Sequence, residues 1–169
     1  MSSSSPIPFP TLEQVRQLPS RYSLVVPDSF TDGNGHMNIA RYMQIHSDGG
    51  WAYFEDLGLS EETARSGGAT TFDVEHHVRY RREVHAGHRV SVHVRLVGRT
   101  ERALHSVQFL VNETTGEVAN SHEAMSLAVD LATRKISTIP EDIAALLDAR
   151  IAQDAALEWE APLCLSLER

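Results

Sequence analysis

Residues 32–58 read DGNGHMNIARYMQIHSDGGWAYFEDLG, and the architecture turns on this stretch. Turn formers crowd its approach, from Asp28-Ser29-Phe30-Thr31 into Asp32-Gly33-Asn34-Gly35, so the chain loops here. Asn38 stands where a helix N-cap is needed. The helix it opens is predicted to run to about Leu57 and to close on Gly58. Ile39, Met43, Gly50, Phe54 and Leu57 lie on related faces of that helix. Gly49 and Gly50 interrupt it at a cost of roughly 1 kcal/mol each against alanine. Such a cost makes sense where a neighbouring element packs too close for a side chain.

On either side of the helix the pattern changes. Upstream, Thr11-Leu12-Glu13-Gln14 has the form of a capping box before a short helix that Pro19 stops. Tyr22 to Pro27 then reads as a first strand. Downstream, Ser66-Gly67-Gly68 marks a loop, after which the period becomes two. Phe72, Val74, His76, Val78 and Tyr80 alternate with Asp73, Glu75, His77, Arg79 and Arg81. Val90, Val92, Val94 and Leu96 alternate with Ser91, His93, Arg95 and Val97. Leu104 to Val111 and Val118 to Leu131 are two more strands, joined through Thr114-Thr115-Gly116. Pro140 opens an amphipathic helix with Ile143, Leu146, Leu147 and Ile151 on one side. One long helix followed by long antiparallel strands, without a βαβ rhythm, is an α+β pattern. Its simplest packing wraps a five- to six-stranded sheet around the single central helix, with an extra helix at the C-terminal end. The expected organisation is one domain over 20–153, an N-terminal tail and short helix over 1–19, and a C-terminal tail over 154–169.

Composition narrows the function. The chain has 169 residues, 41% of them hydrophobic, enough for a core and too apolar for general disorder. Fifteen basic against twenty-three acidic residues give a net charge of −8, a poor balance for binding nucleic acid. No apolar run reaches the roughly 20 residues that span a bilayer. Met1 to Pro10 lacks the basic and apolar regions of a signal peptide and reads as a frayed tail. Cys164 is the sole cysteine, which excludes an intrachain disulfide or a zinc ribbon and fits a cytoplasmic setting. Seven arginines between Arg79 and Arg102 face only Glu83 and Glu101, and they suit either a polyanionic small ligand or a solvated sheet face. Nine histidines raise the question of a metal, yet His76 and His77 are neighbours on a strand and point to opposite sides. His36 and His46 lie ten apart, so no ligand set with metal spacing emerges, and the expectation is no metal.

Asp32-Gly33-Asn34-Gly35-His36-Met37-Asn38, continuing Ile39-Ala40-Arg41-Tyr42, resembles the signature of hotdog-fold acyl-CoA thioesterases of the 4-hydroxybenzoyl-CoA thioesterase-like group. Val74-Glu75-His76-His77-Val78-Arg79-Tyr80-Arg81-Arg82-Glu83-Val84-His85-Ala86-Gly87 is similar to a later strand of that family, with His88 where the family has an acid. Val129 to Lys135 with Pro140 resembles the branch fused to, or encoded near, carnitine dehydrogenases, which acts on betainyl-CoA. The likeness extends over residues 20–150. It implies a hotdog fold, hydrolysis of a short acyl-CoA (betainyl-type or small and polar) to free acid and coenzyme A, and a homodimer or homotetramer. It implies no cofactor, because coenzyme A arrives as part of the substrate.

The residues agree with that chemistry. A carboxylate in the loop before a helix lies near unpaired N–H groups that polarise a thioester carbonyl. Asp32 would attack the carbonyl carbon or deprotonate a water that does. Gly33 and Gly35 admit substrate close to the backbone, and Met37, between them and the helix, is a substrate-contact candidate with a competing core reading. By analogy with the family, the Ile39 N–H is the oxyanion donor, and His36 and Asn38 orient the carboxylate, the water or the acyl group. Glu75, on a strand the family pairs across its dimer, is a second carboxylate that would face a partner's helix N-terminus. Arg79, Arg81, Arg82 and Arg89 are candidates for coenzyme A phosphates, Arg79 and Arg81 on one side of the strand and Arg82 on the other. Two other readings stay open on sequence alone: an acyl-CoA-binding module without catalysis, and a hotdog hydratase or dehydratase.

Overall fold

The computed structural model describes residues 8–167. The remainder of both expected tails, residues 1–7 and 168–169, lies outside the described residues. In chain order the elements are α1 (Leu12–Val15), β1 (Ser20–Val25), α2 (Ile39–Glu55), α3 (Glu61–Arg65), β2 (Thr70–Tyr80), β3 (Arg89–Arg99), β4 (Ala103–Asn112), β5 (Glu117–Asp130), β6 (Lys135–Ile136) and α4 (Glu141–Ala155). The strands form one antiparallel sheet in the order β1-β3-β4-β5-β2, with β6 pairing the end of β5. The α+β architecture is the one expected: a curled sheet around one long helix, with a second helix at the C-terminal end.

Local chemistry sets each boundary. Thr11 and Gln14 form a reciprocal capping box that opens α1. Asn38 caps α2, and Gly58 follows its end with φ +81°. Ser60 caps α3, a short helix with no periodic signal of its own. The two helical glycines are explained by contact. A Cβ on Gly49 would lie 2.7 Å from Val92 Cβ, and one on Gly50 would lie 3.1 Å from Gln108 Nε2. The backbone of α2 therefore rests on β3 and β4.

Two apolar layers hold the sheet. On its concave face α2 buries Tyr42, Ile45 and Tyr53 with Val90, Val92, Val94 and Leu96. Ile143 and Leu147 of α4 join this core, whereas Leu146 is 49% exposed and leaves the expected stripe. On the convex face Val15, Leu18, Val107, Phe109, Trp159 and Ala161 form a second core. Phe109 is met edge-on by Phe9 and by Trp159, at 6.1 and 5.9 Å. Parts of both expected tails thus cover the convex face. Arg95 stacks on Trp159 at 4.3 Å and donates to the carbonyls of Trp159 and Asp154, and Leu96 N–H donates to Asp154 Oδ2 at 2.7 Å. Part of the arginine run is therefore structural.

The register of β2 departs from simple alternation. Asp73 pairs Ser126 and Glu75 pairs Met125, so Val74 is an extra residue, a β-bulge. The bulge puts Asp73 on the same face as His76, Val78 and Tyr80 and sends Phe72 to the opposite face. Sequence alternation had grouped Phe72 with His76. The strand also ends at Tyr80: Arg81 and Arg82 N–H both donate to the Ala119 carbonyl, so the expected split of Arg79 and Arg81 from Arg82 by alternation does not hold.

Candidate active site

The loop before α2 is built to hold one carboxylate. Asp32 N–H donates to the His36 carbonyl, and Gly35 N–H returns to Asp32 O at 3.0 Å, with Gly35 at φ +82°. Met37 N–H donates to Val84 O and Asn38 N–H to Phe30 O, tying the loop to the fold on two sides. On this frame Asp32 Oδ1 accepts from Asn34 N–H at 2.9 Å and Oδ2 from Asn38 Nδ2 at 3.0 Å. The Asn34 N–H first, and then the Asn38 amide, hold the Asp32 carboxyl below its ordinary value, so it is ionised at neutral pH. Asn38 Oδ1 accepts from Ala40 N–H, and the Asn38 carbonyl takes Arg41 N–H. The Ile39 N–H, in the first turn, has no acceptor within the helix. An ionised carboxylate thereby stands in the loop that leads into the first turn of α2.

The other expected residues divide. His36 Nδ1 sits 3.2 Å from the Met37 carbonyl, a contact within the loop. Gly33 has open space where a Cβ would be. Met37 is fully buried in the concave core, so its side chain does not reach a substrate and the core reading replaces the contact role. Glu75 is exposed on β2, on the face opposite His76, so this chain does not set it in the Asp32 loop. Arg79 donates to Cys164 Sγ and His77, Arg81 lies over the Phe9 ring at 5.1 Å, and Arg82 is paired with Glu117 at 2.8 Å. Arg89 is exposed at the start of β3. Asp48 accepts from Tyr22 OH, apart from the Asp32 cluster.

A cavity of ≈ 730 Å³ lies beside α2, between it and β2, β4 and β5. Ala40, Met43, Gln44 and Ser47 line it along one helical face, so it starts one residue into the helix that Asp32 precedes. Asp32 itself is not among the lining residues. The sheet side is mixed: Ser106 and Gln108 from β4, His122 and Ser126 from β5, and Asp73 and His76 from β2 supply polar groups, beside Phe72 and Ala124. Asp73 accepts from Ser126 Oγ and lies 3.4 Å from His76 Nε2. His46, from α2, is fully buried between the side-chain amides of Gln108 and Asn120.

The sequence reading did not assign this wall. Its signal was polar residues in phase with the apolar face of a strand, Ser106 and Gln108 between Leu104 and Leu110, and Asn120, His122 and Ser126 along β5. Asp73 carried no such signal, because only the bulge turns it inward.

A sequence model of the thioesterase-like superfamily matches residues 26–147. An Agrobacterium fabrum L-carnitine dehydrogenase/betainyl-CoA thioesterase is 33% identical over 129 residues, 76% of this chain and 26% of that protein. The betainyl-CoA thioesterase of Pseudomonas aeruginosa is 27% identical over 133 residues, 79% of this chain and 84% of that one. This chain thus spans about a quarter of the fused relative. Among solved structures, a Staphylococcus aureus protein in complex with CoA matches with TM-score 0.78 and 24% identity, over 90% of this chain and 96% of that one. A 1,4-dihydroxy-2-naphthoyl-CoA thioesterase from Synechocystis matches with TM-score 0.66 and 15% identity, over 75% and 93%. The fold expected from the residues is that of these structures.

Proposed function

The chain belongs to the thioesterase-like superfamily, and from that premise we propose that it hydrolyses a short, polar acyl-CoA to the free acid and coenzyme A at the Asp32 loop. The observation that carries the reading is the ionised Asp32 carboxylate, held by Asn34 N–H and Asn38 Nδ2 one turn before the N-terminus of α2. The thioester carbonyl oxygen would meet the Ile39 N–H and the positive end of the helix, where negative charge develops as the tetrahedral intermediate forms. Asp32 attacks the carbonyl carbon, or takes the proton of an attacking water, and the thiolate of coenzyme A leaves. His36 and the Gly33–Gly35 backbone border the reacting group. No cofactor is needed.

The acyl group enters the cavity that opens at Ala40. The relatives are named for the betainyl group, which is one short acyl group. A second copy of the chain completes the site: β2 is an edge strand with Phe72, Val74 and Tyr80 exposed at 42, 57 and 48%. Pairing there would bring Glu75 towards the partner's loop, and Arg79, Arg81, Arg82 and Arg89 would border the coenzyme A phosphates. The setting is cytoplasmic, where acyl-CoA is made and used.

Thiol release from a panel of acyl-CoAs tests this reading directly. Asp32→Asn is expected to lower kcat by about 10²–10⁴-fold, the usual worth of a general base, with an unchanged thermal midpoint. Undiminished turnover by the variant rejects the role of Asp32. Saturable binding without thiol release from the wild-type chain rejects catalysis.

A further inference from the structure

The cavity wall contains a group that the proposed hydrolysis leaves unused. His122 is only 3% exposed, yet neither Nδ1 nor Nε2 of its ring has a hydrogen-bond partner. Buried ring nitrogens are seldom left in this state, because desolvation is then uncompensated. The ring is also held in place. It stacks on His46, centroids 5.0 Å apart and planes 28° apart, and His76 meets it edge-on at 4.7 Å. His46 is itself fixed between Gln108 and Asn120. Its Nδ1 lies 3.1 Å from Gln108 Oε1 and its Nε2 against Asn120 Oδ1; a neutral imidazole donates at one nitrogen and accepts at the other, so a neutral His46 requires one of these amides to turn its amino group inward. Burial, with His46 and His76 as neighbours, keeps His122 neutral, its pKa pushed down to about 3. Among the described residues its ring lines the cavity with both nitrogens unpartnered and closed to solvent, so a ligand atom reaches them where the partly exposed His76, which meets the ring edge-on, gives way.

Resting on the thioesterase reading, we propose that the deep end of this cavity is a hydrogen-bonding subsite for the far end of the acyl chain, with His122 its specificity-determining residue and an uncharged hydroxyl the group it selects. A hydroxyl both donates and accepts, so it satisfies a ring nitrogen in either tautomer. A methyl group does neither. A quaternary ammonium has no N–H or lone pair to offer, and the faces of the His122 ring are already occupied by His46 and His76. The reach is set by the helix. His46 lies seven residues beyond Ile39, about 10 Å along the axis at roughly 1.5 Å per residue. With the thioester at the first turn, an acyl chain of about four to six carbons ends beside the stacked rings.

The full chain is assayed with 5-hydroxypentanoyl-CoA and with hexanoyl-CoA, in which a methyl replaces the hydroxyl. The wild-type protein is expected to favour the hydroxylated substrate about 10-fold in kcat/KM, the worth of one neutral hydrogen bond. In His122→Phe, which keeps a planar ring against His46, the ratio falls to about one. In His122→Gln, which restores a donor and an acceptor, part of the preference returns. Independently of turnover, 15N NMR of the His122 ring is expected to shift on adding 5-hydroxypentanoate and not on adding hexanoate. Equal kcat/KM for the two substrates, a preference that survives His122→Phe, a stronger preference for trimethylammonioacetyl-CoA that survives it, or an unmoved ring signal each overturns the subsite. A chain inactive on every acyl-CoA would reject the thioesterase reading instead, and the NMR titration would still decide the subsite.

Discussion

Asn38 joins Asp32 to the helix with a single side chain, its Nδ2 donating to Asp32 Oδ2 at 3.0 Å while its Oδ1 accepts from Ala40 N–H at 2.9 Å. One residue thus caps α2 and fixes the carboxylate relative to the helix end. These two roles separate by mutation. Asn38→Ser keeps a capping oxygen and loses the amide donor, so kcat drops while the folding stability stays near that of the wild type. Asn38→Ala loses both and costs a further 0.5–2 kcal/mol or so of stability, the usual worth of a cap. Urea titrations beside thiol-release kinetics would show the split, and equal stability losses in the two variants would count against it.

At Gly49 the helix backbone lies against the sheet with no room for a side chain. An alanine methyl would sit 2.7 Å from Val92 Cβ, inside van der Waals contact. Overpacking of this kind typically costs about 1–3 kcal/mol, enough to outweigh the better helix propensity of alanine. Gly49→Ala should therefore lower the denaturation midpoint, and adding Val92→Ala, which removes the γ carbons but leaves the Cβ at 2.7 Å, should not restore it.

Stability should fall with acid over a defined window. His122 is held down to about 3 by burial and by the neighbouring rings of His46 and His76, and burial also lowers His46. Asp73, at 3.4 Å from His76 Nε2, is the carboxylate on the same face. Below the ordinary value of 6.5, the unfolded chain binds protons on these rings that the folded chain refuses. Stability is therefore full above that value and declines as pH falls from 6.5 towards 3, by up to about 1.4 kcal/mol per pH unit for each such histidine. Chemical denaturation at stepped pH would measure the slope, and His122→Phe should flatten it.

Charge in the cavity favours neutral or cationic acyl groups. Asp73 is the one carboxylate among the described residues that line it, no lysine or arginine is among them, and burial keeps His46 and His122 neutral. An acyl-CoA ending in a carboxylate, such as succinyl-CoA, should be a poor substrate. Asp73→Asn should improve its kcat/KM about 10-fold while changing a neutral acyl-CoA by less than about 3-fold, in line with a charge pair screened by water.

The convex face has its own test. Trp159 fills the second core between Phe109 and Arg95, and its Nε1 donates to Gln17. Trp159→Ala should cost roughly 3–5 kcal/mol, with kcat little altered in the protein that remains folded.

Much of this was legible in the residues, for identifiable reasons. The Asp32 loop, the Asn38 cap and the close approach at Gly49–Gly50 are local, and the sequence carries each of them in adjacent positions. β2 and β3 announced themselves by period two, whereas the two-residue β6 carries no such signal. The C-terminal segment reads as a tail, because the surface on which Trp159, Ala161 and Leu163 pack is made by strands distant in sequence. Met37 shows the same limit: the signature places it beside the Asp32 loop, while packing turns its side chain into the core. The arginines were visible as a run, but Trp159, Cys164 and Glu117, which engage three of them, come from later in the chain.

The extra residue at Val74 has a further consequence. Were β2 to run regularly over the same residues, Val74 would oppose Ser126, and Phe72 would take the place that Thr71 holds against Ala128. The same eleven-residue strand therefore holds two linings, the present one with Asp73 turned inward and Phe72 at its border, and a more apolar one with Phe72 and Val74 turned inward. A slip of one position, with no change in amino-acid identity, is the shortest route by which such a scaffold would trade one diet for another.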